Sequence, residues 1–146
     1  MYSKEEAAKV RKEFWTSFGK SFPRKWLLYN TKIKGFSFKF VADKKIALVC
    51  LDLEHPNEIQ NELLFEQLES LKTILSQEYI QEPIFDSNYE LESGKIIKSI
   101  YVQLPKKFNI YTKDTWRDCF EFFVKNMSQF ELFFYEYEDY IKQATQ

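Results

Sequence analysis

His55 is the single histidine of the chain, and it directly follows Asp52-Leu53-Glu54. Residues i and i+2 of a strand share a face, so Asp52 and Glu54 point the same way. Two carboxylates beside an imidazole are a donor set for a divalent ion, which makes Asp52, Glu54 and His55 a candidate metal site. The plainer reading of these residues is a strand end leading into a helix, with acids where a helix N-terminus favours negative charge. A metal nuclease of the PD-(D/E)XK type is a further comparison, because Asp43 precedes Asp52-Leu53-Glu54 on a loosely compatible α-β-β beginning. Its lysine position is held by Glu54, and Asp43 reads as a turn residue. The water-orienting role is unfilled, so any such domain here is a degenerate one.

Other chemistry is narrowed by inventory. A Ser-His-Asp or Cys-His arrangement could use only His55 as its base. Gly19, Gly35 and Gly94 are too far apart for a phosphate loop, and no zinc-ligand spacing is present. Cys50 lies in the apolar run 46–51 and Cys119 in a helical pattern, so both read as small buried hydrophobes rather than redox thiols. No cofactor is implied, and the balance leans away from an enzyme.

Two other groups of residues point to binding. Lys20, Arg24, Lys25, Lys32, Lys34 and Lys39 interleave with Phe22, Trp26, Tyr29, Phe36 and Phe38. Lysines can neutralise phosphates and exposed aromatics can stack on bases. Trp26, Tyr29, Lys32, Lys34 and Lys39 are therefore the candidate nucleic-acid contacts. Against this, Phe36, Phe38 and Phe40 share one strand face, which is how core residues are spaced. Between Phe120 and Tyr140 stand nine aromatic residues, more than one helix face can hold. Some must meet a second surface, in the same domain or on a partner chain. Phe130, Phe133, Phe134 and Tyr137 are the candidate residues of a homodimer interface.

The elements that must position these residues follow from periodicity. Ser3-Lys4-Glu5-Glu6 is a capping box, followed by Ala7, Val10, Phe14 and Phe18 at helical spacing, which predicts a helix ending near Gly19 or before Pro23. Trp26 to Asn30 reads as a short extended segment. Phe36, Phe38 and Phe40 alternate with polar residues, 42–45 forms a turn, and Ile46 to Leu53 is nearly continuous and apolar, giving a hairpin whose second strand lies inside the sheet. A helix from Pro56, capped by Asn57, carries Ile59, Leu63, Leu64, Leu68, Leu71, Leu75 and Tyr79 as its apolar stripe. A second hairpin spans Ile84 to Leu104 around Gly94. The last helix, capped by Thr112 or Asp114, carries Trp116, Phe120, Phe123, Val124, Met127 and Phe130, with a break expected near Ser128. The order αββαββα predicts one α+β domain over residues 1–146, an antiparallel sheet of four or five strands covered by helices.

The whole chain, 146 residues with few glycines and prolines, suits one globular domain. Its net charge of −1 hides a segregation. Residues 1–48 carry 12 basic and 4 acidic residues, and residues 49–94 carry 1 and 11. Either the molecule has a basic and an acidic side, or the segments interleave and neutralise each other. Met1 to Phe14 reads as a charged, capped helix rather than a signal peptide, and no apolar stretch approaches a membrane span. The expected address is the cytoplasm.

Several segments also resemble a known family. The helix Met1-Tyr2-Ser3-Lys4-Glu5-Glu6-Ala7 leads into Phe14-Trp15. Trp26-x-x-Tyr29-x-Thr31 precedes the basic aromatic strand. His55-Pro56 leads into Ile59, Phe65-Glu66-Gln67 and Leu71-Lys72, and Trp116 stands in the last helix. Over nearly its whole length the chain resembles the bacterial domain-of-unknown-function family numbered 4268, in its short stand-alone form. Members of that family also occur as C-terminal partners of nuclease-like modules, which implies DNA-related work but supplies no catalytic residue. Ser99 stands before Ile100-Tyr101 where relatives often have Arg, so a site built on that guanidinium would be weakened here. The sequence thus leads to a small binding or accessory module whose partner is nucleic acid or a nucleic-acid-processing protein. Homodimerisation through the aromatic helix is the alternative.

Overall fold

A computed structural model describes residues 2–145. Helix α1 (Lys4–Ser21) starts at the expected capping box: Ser3 Oγ accepts from the Glu6 amide, and Glu6 reaches back to the Ser3 amide. Strands β1 (Phe36–Ala42) and β2 (Ala47–Leu53) form the first hairpin. Helix α2 (Glu58–Glu69) is capped by Asn57, whose side chain accepts from the Gln60 amide at 2.9 Å. A short helix α3 (Lys72–Ile74) runs into a π-turn over Leu75–Tyr79. Strands β3 (Ile84–Glu90) and β4 (Ile96–Gln103) form the second hairpin, and α4 (Trp116–Lys142) closes the chain.

The four strands make one antiparallel sheet in the order β1-β2-β4-β3. β2 is central and buried along its whole length, as its continuous apolar run requires. Alternation sorts the side chains into two faces. Phe36, Phe38, Phe40, Val49, Leu51, Leu53, Ile100 and Val102 face the helices. Phe36 and Phe38 pack on Phe134 and Phe130 of α4, and Phe40 meets Phe18 of α1 and Phe123 of α4. Phe14 of α1, fully buried, contacts Phe108, Trp116, Phe120 and Phe123. The opposite face carries Ser37, Lys39, Leu48, Cys50, Asp52, Ile97, Ser99 and Tyr101.

Several expectations are corrected. The 26–30 segment is not extended: Leu28 lies at φ 45°, in the left-handed region, and the stretch forms turns. The middle helix is not continuous. It stops at Ser70, whose hydroxyl donates to the Gln67 carbonyl and competes with the helical ladder. Its stripe is narrower than its apolar residues implied. Leu64, Phe65 and Leu68 are buried, while Ile59 and Leu63 are 70% and 44% exposed. α4 is unbroken at Ser128. It begins through a 3-10 turn, Lys113–Thr115, with no side-chain cap from Thr112.

Candidate functional site

Between α1 and β1 runs a long loop, residues 22–35, without regular structure, a length that in compact domains usually serves function. It is pinned at three places. Arg24 forms an ion pair with Glu131, a buried residue of α4, and donates to Ser128 Oγ at 3.0 Å. The second Glu131 oxygen accepts the Leu27 amide at 2.7 Å. The Arg24 guanidinium also lies 4.2 Å from the Trp26 ring, which packs edge-on against Phe40. At the edge of the sheet the Phe38 amide donates to Leu28 O at 3.0 Å. Buried Thr31 donates from Oγ1 to Phe36 O at 2.7 Å and accepts the Ile33 amide. Leu28 and Lys32 hold left-handed φ values of 45° and 62°, each costing about 1–2 kcal/mol for a residue with a Cβ. Such strain persists only where surroundings over-determine the backbone, and it clusters at functional loops.

This loop carries four of the five candidate nucleic-acid residues, and three of them are exposed. Tyr29 is 74% exposed. Lys32 and Lys34 are exposed on either side of buried Ile33, and among the described residues neither makes an ion pair. Trp26 is half-buried beneath Arg24 and is a support for the loop. Lys39 is committed elsewhere.

On the face of the sheet opposite the helices, Lys39, Asp52 and Ser99 sit on β1, β2 and β4. Ser37, Asp52 and Ser99 are direct cross-strand partners, as are Lys39, Cys50 and Tyr101. Ser99 Oγ donates to Asp52 Oδ1 at 2.8 Å. Lys39 Nζ lies 2.7 Å from Oδ2 but off the direction of an aligned hydrogen bond, so charge holds that oxygen. Asp52 is fully buried. Burial works to lower the Lys39 pKa, but the contact and charge of Asp52 outweigh it, and the net direction is up. Cys50 is pushed up by burial and then by Asp52. Tyr89 is raised to about 12, by burial first and then by Cys50 and Asp52. Tyr89 and Tyr101 pack with ring centroids 5.4 Å apart.

The proposed metal donors are not brought together. Asp52 is taken by Lys39 and Ser99. Glu54 pairs with Lys95 at 3.1 Å. His55 Nδ1 accepts the Asn57 amide at 3.0 Å, and the His55 amide donates to Asn61 Oδ1. Among the described residues no group of three His, Cys, Asp or Glu side chains is placed to hold a metal ion. Asp43 accepts the Lys45 and Ile46 amides in the β1–β2 turn, at the far end of the hairpin from Asp52. The nuclease pattern is therefore not assembled.

The proposed interface is also corrected. Phe130, Phe133 and Phe134 are buried inside the chain, the first and last on the β1 phenylalanines and Phe133 between Tyr79 and Tyr137. Tyr137 is half-buried in the same packing. The large apolar and aromatic residues that α4 leaves exposed, among those described, are Leu132, Tyr135 and Tyr140.

Sequence reasoning missed Glu131, and it read Ser99 only as a departure from the family's Arg, not as the hydroxyl partner of Asp52. Glu131 had a signal: a charge inside the apolar stretch Phe130 to Phe134 requires a partner once buried. Asp52 in its apolar strand carries the same signal, although its place next to Glu54 and His55 gives it the look of a metal ligand.

No described helix is long and apolar enough to cross a membrane. A family model described as a domain of unknown function (DUF4268) matches residues 10–138, and the chain belongs to that family. No curated protein and no solved structure matches it.

Proposed function

We propose that the protein is a cytoplasmic binding module that contacts nucleic acid through the loop 22–35, as an accessory to nucleic-acid processing. The observation that carries this reading is that Tyr29, Lys32 and Lys34 are all exposed on one loop, tied to α4 and to the edge of β1, and that neither lysine has an ion pair among the described residues. Unpaired lysines can exchange condensed counterions for phosphates, which is the main source of affinity for nucleic acid. A clamped loop loses little conformational freedom on binding. The two buried, free cysteines agree with a reducing compartment.

Fluorescence anisotropy of labelled DNA and RNA, titrated between about 50 and 200 mM salt, tests this reading. Binding is expected to weaken steeply with salt. The variant carrying Lys32→Glu and Lys34→Glu should bind more weakly and with a shallower salt slope, by roughly 0.7–0.9 for each phosphate that is no longer neutralised. Unchanged affinity in that variant, or no binding even at about 50 mM salt, would overturn the proposal.

A further inference from the structure

We infer that the loop takes single-stranded rather than duplex nucleic acid, with Tyr29 as a stacking platform for an unpaired base; this rests on the binding reading above. Reading a duplex groove requires a helix or a two-stranded ribbon that enters it, or a free arm that reaches into it. This loop is none of these. Leu28 is tied to the edge of β1, Leu27 and Arg24 are tied to Glu131 in α4, and Thr31 closes a tight turn onto Phe36. The loop lies against the body and cannot extend.

What it presents is an aromatic ring open to solvent, followed at Lys32 and Lys34 by two charges that buried Ile33 forces outward. A duplex hides its base faces in the stack and offers this ring nothing but backbone. A single strand offers both a base face to stack and phosphates to neutralise, the combination that sequence-tolerant single-strand binders use. The left-handed backbone at Leu28 and Lys32, on either side of Tyr29, is set before any ligand arrives, so the platform is preorganised.

The test compares three labelled probes of equal length at about 50 mM salt: a mixed-sequence single strand, its blunt duplex, and an abasic strand that keeps the phosphates. The single strand should bind tightest, the duplex and abasic strand each about tenfold or more weaker. Tyr29→Ala should weaken single-strand binding roughly 5- to 100-fold and leave the other two probes within about twofold. Tyr29→Phe, which keeps the ring, should restore the single-strand preference. Because Tyr29 is exposed, both variants should melt like the parent. Equal affinity for single strand and duplex, or a Tyr29→Ala loss shared by all three probes, would overturn the single-strand inference while leaving the binding reading intact. Absence of binding to every probe, or full affinity after Lys32→Glu with Lys34→Glu, would overturn both.

Discussion

Asp52 is the residue on which the interior electrostatics turn. A carboxylate removed from water loses several kcal/mol of hydration, and only close, well-placed partners return it. Here the partners come from the two neighbouring strands: a hydroxyl from Ser99 and an ammonium from Lys39. Removing one partner from such a pair is worse than removing both, because it strands a buried charge. Lys39→Met is therefore expected to destabilise the fold by about 3–5 kcal/mol. Adding Asp52→Leu to that variant should recover much of the loss, since an apolar pair of similar volume commonly replaces a buried ion pair at little cost. Urea-unfolding midpoints of the two single variants and the double variant measure this directly. Additive losses would mean that Lys39 and Asp52 do not act as a pair. The same geometry explains why Lys39, sequentially close to Lys32 and Lys34, does not belong with them: its charge is already engaged inside the sheet.

At the scale of elements, the strands and most helices were legible because their signal is local and periodic. Alternation at Phe36, Phe38 and Phe40, the unbroken apolar run of β2, and the caps at Ser3 and Asn57 each specify structure within a few residues. The loop 22–35 was not legible, because what shapes it is far away in sequence: Glu131 lies 107 positions from Arg24 and 104 from Leu27. The destination of the aromatics in α4 was not legible for the same reason. The phenylalanines of α1 and β1 that receive them are remote in the chain, so residue spacing alone left cover within the domain and cover by a partner chain both open. Of the candidate site, residue type alone offered Trp26, Tyr29, Lys32, Lys34 and Lys39 as equals, while the packing of Trp26 and the pairing of Lys39 depended on partners no local pattern reveals. Gly35 joins the loop to the sheet. Its φ is 70°, and a Cβ there would lie 2.5 Å from the His55 backbone, while its carbonyl accepts the Glu54 amide at 2.7 Å. Gly35→Ala meets both a left-handed backbone and a backbone collision. It should cost about 2 kcal/mol or more, read as a lowered melting temperature with faster exchange of the Glu54 amide. Wild-type protection of that amide in the variant would show that the two backbones can separate freely.

At the scale of the whole molecule, the sequence segregates charge but the fold partly mixes it. Lys39 of the basic first third meets Asp52 of the acidic segment, and Arg24 meets Glu131 near the chain's end. The thiols, several tyrosines and Lys39 are held in their protonated forms. Burial raises Cys50, raises Cys119 to about 12 and Tyr89 to about 12, and also raises Tyr79 and Tyr101. Lys39 is raised as well, by Asp52 against the opposing effect of burial. Every one of these groups has a folded value above its unfolded one. The stability each contributes is complete below the unfolded pKa and is lost as pH climbs through the folded one. The thiols begin to release stability above about pH 8.5, and the tyrosines and Lys39 above about pH 10. The protein should hold its stability through neutral pH and then lose it progressively toward pH 12, where tyrosinate absorbance and loss of helical circular dichroism should appear together. Both thiols should stay unreactive toward a disulfide reagent until that unfolding begins. Tyrosines that all titrate near pH ~10 with the helices intact would contradict the burial of the Tyr89–Tyr101 pair on the sheet.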